Sequence, residues 1–157
     1  MKSLRIKIIS LLKKKKLKIS VAESCTGGML CSAITAVRGS SKTFSFGIVS
    51  YSNESKIKLL KVSKKTIIKY GSVSKQVCNS MLKNVGKIGK TNMSISITGI
   101  AGPSGGSRKK PVGLVYIGIK KGSKIIIKKY LFKNKGRFYI QKAAVNKCLV
   151  LIFNILK

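Results

Sequence analysis

At 157 residues and 44% hydrophobic content, the chain suits one domain with a real apolar core, and its composition fits neither a disordered segment nor a membrane bundle. Its charge is one-sided, with 34 Lys and Arg against 2 Asp and Glu and no histidine, for a net +32. The lack of histidine excludes Ser-His-Asp and Cys-His catalysis and HExxH zinc sites. The lack of aspartate leaves Glu23 and Glu54 as the only side-chain carboxylates and excludes EF-hand and Walker-B magnesium sites. A general base must then come from Lys, Glu or Tyr.

In chain order, Leu4, Ile8, Leu11 and Leu12 share one face of a helix over 3–15, and the lysine run 13–16 suits the dipole at its C-terminal end. Residues 17–22 read as a short buried strand, followed by Glu23-Ser24-Cys25-Thr26-Gly27-Gly28 and a buried helix over 29–37 ended by Gly39. A second strand is expected over 44–52, then a short helix over 53–60 capped by Ser52 or Asn53. A helical turn over 66–70 closes at Gly71, and Ser74 caps a helix over 75–85. Residues 93–98 alternate in strand fashion and run into a glycine-rich loop over 99–111. Strands over 112–120 and 124–132 form a hairpin around Lys121-Gly122-Ser123, and an amphipathic helix over 137–156 closes the chain. Alternating strands and helices followed by a hairpin predict a single α/β domain, 1–157, with a mixed sheet.

The lysines are spread over the whole chain, and Ile, Asn and Ser rise with them, which fits compositional drift in an AT-rich genome. No nucleic-acid motif accompanies the charge, so nucleic acid is expected as a partner only non-specifically. The first 16 residues interleave Lys and Arg with apolar residues and show no small-residue cleavage site, arguing against a signal peptide. No run approaches the ~20 apolar residues of a spanning helix, so no membrane partner is expected. Cys25, Cys31, Cys78 and Cys148 form no CxxC pair, and read as reduced thiols of a cytoplasmic protein, Cys31 and Cys78 as core fillers. Gly89-Lys90-Thr91 is no P-loop tail, because Asn84 stands where that pattern requires glycine.

Three elements rich in glycine and hydroxyl groups stand at the ends of predicted strands: 23–28, 51–56 and 98–107. Ligands of open α/β sheets gather at such ends, and a helix start after Gly27-Gly28 offers backbone N–H groups to an oxyanion. Ser24 is the leading nucleophile, and without histidine its base must be a neutral lysine. Lys56 stands out by following Tyr51-Ser52-Asn53-Glu54-Ser55 at a strand end. Cys25 competes as nucleophile; neighbours in an extended segment face opposite ways, so only one of the two faces the site, and a packing role is preferred for Cys25.

These elements resemble the CinA C-terminal domain family, including nicotinamide-nucleotide amidohydrolases of the PncC type, from about residue 3 to the end. The resemblance rests on six segments in order. They are Ala22-Glu23-Ser24-Cys25-Thr26-Gly27-Gly28, Tyr51-Ser52-Asn53-Glu54-Ser55-Lys56, Gly71-Ser72-Val73-Ser74, Ile97-Thr98-Gly99-Ile100-Ala101-Gly102-Pro103, Lys110-Pro111-Val112-Gly113 and Gly136-Arg137. It implies a three-layer α-β-α domain with a mostly parallel sheet, self-association, and deamidation of nicotinamide mononucleotide (NMN) to nicotinate mononucleotide and ammonia, with no metal or cofactor. Carried over, Ser24 attacks the carboxamide, Lys56 takes its proton, and Tyr51 orients the lysine or the ring. Backbone groups of Cys25, Thr26, Gly27 and Gly28 bind the oxyanion or phosphate. Glu23, Asn53, Thr98, Gly99, Ala101, Gly102 and Arg137 contact the substrate. The alternative is a domain that binds nucleotide or nucleic acid without catalysis. The chain departs from the family where Lys135 precedes Gly136-Arg137 and where Gln141 replaces a common second arginine.

Overall fold

The computed structural model describes residues 2–157. Its elements are α1 (Lys2–Lys14), β1 (Ile19–Glu23), α2 (Met29–Thr35), β2 (Phe44–Val49), α3 (Asn53–Lys58), α4 (Lys64–Tyr70), α5 (Lys75–Ile88), β3 (Met93–Gly99), β4 (Leu114–Lys121), β5 (Lys124–Leu131) and α6 (Arg137–Leu156). Each predicted element is present, with ends shifted by a few residues; a single 3₁₀ turn at Ser40–Lys42 was not anticipated. The strands form one sheet in the order β2-β1-β3-β4-β5. β1 is parallel to β2 and β3, while β4 is antiparallel to both β3 and β5, so every strand but β4 runs the same way. The α/β domain is thus mixed and mostly parallel in strand direction.

Two helical layers sandwich this sheet. On one face Ile8, Ile9 and Leu12 of α1, Leu30 and Ile34 of α2, and the buried stripe of α6 pack on Ile19, Val21, Ile95, Ile97, Ile117 and Ile119. α6 is long and apolar enough to cross a membrane by length and composition alone, yet here its stripe lies on α1, α2 and β4.

The other face carries α4 and α5 over a smaller cluster of Ala22, Ile67, Val77, Met81 and Val85. The serines that alternate along β3 do not mark a solvated face. Ser94 and Ser96 donate to the carbonyls of Leu82 and Cys78 in α5 at 2.9 and 2.8 Å, and Ser20 of β1 donates to Val85 at 3.1 Å. Buried hydroxyls need such acceptors, and their small side chains let α5 approach closely. A Cβ at Gly89 would sit 2.8 Å from the Ser20 Cβ, which is why glycine occupies that position.

Helices α1 and α5 both end at the N-terminal edge of the parallel strands in Schellman turns. Leu17 N–H bonds to Leu12 O and Lys16 N–H to Lys13 O; likewise Thr91 N–H bonds to Gly86 O and Lys90 N–H to Lys87 O. The left-handed residues are Lys16 (φ 52°) and Lys90 (φ 47°), where glycine is usual.

Candidate active site

The register of the parallel strands assembles the site. Glu23 lies opposite Val49 on β2 and Ile97 on β3, so Ser24, Ser50-Tyr51 and Thr98-Gly99 emerge side by side at one end of the sheet. Ser50 N–H ties the β2 exit to Glu23 O at 2.8 Å. α3 then starts at once, through a reciprocal capping box in which Ser52 caps Ser55 and Ser55 caps Ser52. That abrupt start turns Lys56, in the first turn of α3, back over the strand ends.

Lys56 is only 2% exposed. Its Nζ donates to Ser50 O at 2.8 Å and Tyr51 O at 3.2 Å, and lies 3.0 Å from Ser24 Oγ. Burial pulls its pKa from the ordinary 10.5 down to about 8, with Cys25 opposing. A neutral amine has two N–H groups and one lone pair. The two carbonyls can only accept, so they consume both N–H groups and leave the lone pair facing the Ser24 hydroxyl. This arrangement has the chemistry that a serine hydroxyl needs to lose its proton to a neighbouring base.

Cys25 resolves as a packing residue. Its sulfur points inward, 3.0 Å from where a Cβ at Gly99 would lie; the Val115 side chain and Leu114 carbonyl, at 2.7 and 2.8 Å, are nearer still and require glycine there. Burial pushes its thiol up to about 12, so it carries no useful thiolate at neutral pH. All four cysteines are free; Cys78 is buried as expected and Cys31 half-buried.

The turn after Ser24 is clamped from two sides. The Glu23 carboxylate is fully buried and accepts from the amides of Gly28, Leu30 and Cys31 at 3.2, 3.1 and 2.7 Å, anchoring the start of α2. Gln141 of α6 donates through Nε2 to Cys25 O at 2.8 Å. These contacts correct several expected roles. Glu23 holds the turn and does not face the cleft. Gly27 N–H is spent on Ser24 O and Gly28 N–H on Glu23, so neither serves an oxyanion. Thr26 is buried with its hydroxyl unpartnered and is absent from the cleft wall. Among the described residues, the amides of Cys25 and Thr26 have no acceptor and remain as the donors in this turn. Asn53 is exposed on α3 outside the cleft.

The cleft encloses about 440 Å³ and is lined by Ser24, Cys25, Lys56, Tyr51, Thr98, Gly99, Ala101, Gly102 and Arg137, which the sequence had singled out. Gly71-Ser72-Val73 and Lys110 also line it; they belong to the quoted motifs, but nothing in their spacing gave them a role. Thr98 Oγ1 donates to Ser72 O at 3.0 Å and so holds that wall. Tyr51 orients Lys56 through its backbone carbonyl, while its phenol, on a ring 56% exposed, meets Arg137 Nη2. Arg137 also donates to Gly102 O at 2.9 Å. Lys56, Lys110 and Arg137 face the cleft, and no carboxylate lines it. Its field therefore favours anions. Among the described residues, no group of three or more His, Cys, Asp or Glu side chains could hold a metal.

A three-layer domain of this topology has close counterparts. The family model described as the CinA C-terminal domain matches residues 1–156. A CinA-like protein of Prochlorococcus marinus is 49% identical over 144 residues, 90% of this chain and 34% of that protein. A CinA-like protein of Fusobacterium nucleatum is 49% identical over 143 residues, 91% of this chain and 34% of that protein. The crystal structure of the competence/damage inducible protein CihA from Agrobacterium tumefaciens superposes with a TM-score of 0.96 at 34% identity, covering 99% of this chain and 95% of that one. The chain belongs to the CinA C-terminal domain family. It spans about a third of the length of the curated relatives it matches.

Proposed function

We infer that this domain is a Ser/Lys amidohydrolase that deamidates NMN to nicotinate mononucleotide and ammonia. The observation that carries the reading is the 3.0 Å approach of Lys56 Nζ to Ser24 Oγ, with its other hydrogen-bonding capacity spent on two carbonyls. Ser24 Oγ attacks the carboxamide carbon as its proton passes to Lys56. The oxyanion is met by the free amide of Cys25, the residue of the turn that lines the cleft beside Ser24. Lys56 then delivers the proton to the departing nitrogen, releasing ammonia and leaving an ester on Ser24. Water attacks that ester with Lys56 again as base, and the carboxylate product leaves. The cationic cleft with no carboxylate in its wall supports an anionic substrate, as a mononucleotide is.

The test is ammonia release from NMN by the purified protein. Ser24→Ala is expected to lower kcat by about 10³-fold or more, and Cys25→Ala to leave it within a few-fold. Retained turnover in Ser24→Ala removes the proposed chemistry. NMN binding without turnover in the wild type supports the non-catalytic alternative.

A further inference from the structure

Lysines that are dispersed along the sequence converge in space at the edge of the sheet opposite the cleft. The cleft lies at the C-terminal ends of β1, β2 and β3. The other edge collects the ends of α1, α5 and α6 and the β4–β5 turn, about one strand length or ~20 Å away. The run 13–16 ends α1, and Lys18 and Lys42 stand just before β1 and β2. Lys13, Lys16, Lys18 and Lys42 surround one shallow depression of about 420 Å³. Lys87 and Lys90 end α5 beside it, since Met93 N–H bonds to Lys18 O and Lys18 N–H to the Asn92 side chain. The β4–β5 turn joins the same edge through Gly122 N–H to Asn92 O, and Lys121 reaches Ile155 O at the end of α6. No acid offsets this edge: Glu23 is buried at the cleft end and Glu54 is engaged by Lys58 on α3.

We propose that this lysine edge is a docking surface for the phosphodiester backbone of nucleic acid, separate from the cleft. The partner is read from charge and from what the edge lacks. The exposed aromatic rings, Tyr51, Tyr70, Phe138 and Tyr139, belong to the β2–α3 connection, the end of α4 and the start of α6, all away from this edge. Phe44 at the start of β2 and Phe153 near the end of α6 are half-buried there, Phe153 under the Lys157 ammonium, so the edge offers no exposed ring to bases or a bilayer and reads phosphate alone, indifferent to base sequence and strongly salt-dependent. The inference stands on surface placement and does not depend on the proposed catalysis.

The experiment is fluorescence anisotropy with two short DNA duplexes of unrelated sequence, titrated over a salt series. One variant carries Lys13→Gln, Lys16→Gln, Lys18→Gln, Lys42→Gln and Lys90→Gln. A control of equal net charge carries Lys64→Gln, Lys65→Gln, Lys75→Gln, Lys128→Gln and Lys142→Gln, all exposed and outside both the edge and the cleft lining. Wild type binds both duplexes alike. The edge variant loses about 100-fold or more in affinity, and its log–log salt slope drops by about 4 to 5, roughly 0.9 per lysine removed from a phosphate. The control loses less than about tenfold. A native circular dichroism spectrum for each variant shows that the fold is retained; if the edge variant unfolds, Lys16→Gln/Lys42→Gln replaces it, with a slope drop of about 2. Equal losses in both variants overturn the proposal in favour of net charge alone. Strong preference for one duplex, or edge-dependent binding to phosphatidylserine vesicles without duplex binding, overturns it as well.

Discussion

The two edges of the sheet use the same residue type in opposite surroundings. At the cleft, one lysine is folded under the strand ends, held by the Ser50 and Tyr51 carbonyls, and its pKa is pulled to about 8 by burial. At the far edge, lysines end α1 and α5 and project into solvent. The difference shows that abundance says little about role. What singles out Lys56 is a capping box that starts α3 immediately after β2 and aims one side chain backwards. The far edge acquires collective charge with no such placement, because helix C-termini tolerate cations at any exposed position.

The largest expected effect comes from making Lys56 resemble the other lysines or removing it. Lys56→Met lowers kcat by about 10³-fold or more, and Lys56→Arg does the same despite keeping the charge, because a guanidinium has no lone pair to accept the serine proton. Arginine activity near wild type would break the contrast between the two edges. In the wild type, log kcat/KM rises with pH at about one unit per pH unit and levels off above about 8. Stability carries the same signature. The folded pKa of about 8 lies below the ordinary 10.5, so the unfolded state binds more protons between these values. Wild-type stability therefore gains with rising pH across that window, and Lys56→Met does not show this gain, as urea unfolding midpoints would report.

The second expected effect concerns the turn that faces Lys56. Gln141 is a positioning residue: it touches no reacting atom but holds the Cys25 carbonyl toward α6. Gln141→Leu is expected to lower kcat about fivefold, the worth of one hydrogen bond of ~1 kcal/mol, with KM little changed. Gln141→Arg, which keeps an N–H donor, restores kcat; Gln141→Glu, which at neutral pH cannot donate, does not. A rise in KM with kcat intact would instead place Gln141 in substrate binding.

These residues also mark how far the sequence could be read. Helix and strand order was legible because apolar periodicity and the Ser52, Gly71 and Ser74 boundaries agree with one another. Ser24 and Lys56 were legible because both lie in short motifs at strand ends and histidine is absent. Glu23 was misread because a carboxylate beside a nucleophile looks like a site residue until the three amides it accepts are seen. Gln141 enters only through the packing of α6 against the turn, a contact across 116 positions that no local pattern carries. The lysine edge escaped for the same reason: residues 13–18, 42, 87–90 and 121–124 are distant in sequence and meet only once strand order and direction are known.

The smallest effect sharpens the comparison at the far edge itself. At the cleft, the positive-φ residue that closes α4 is Gly71, whose φ of 75° and ψ of 156° suit only glycine. At the far edge the positive-φ residues after α1 and α5 are Lys16 and Lys90. A side chain in that conformation costs about 1–2 kcal/mol, while a glycine costs up to ~1 kcal/mol of unfolded-chain entropy. Lys90→Gly keeps both Schellman bonds, from the residue 90 N–H to Lys87 O and from Thr91 N–H to Gly86 O, because they use backbone groups. It is expected to stabilise the fold by about 0.5–1 kcal/mol, raising Tm by roughly 1–4 °C in a chain of this size. The same change removes one edge cation, so duplex binding weakens and its salt slope falls by about 0.9. Stability and polyanion affinity thus move in opposite directions in one variant. A loss of stability would show that the Lys90 side chain makes contacts outweighing its backbone cost.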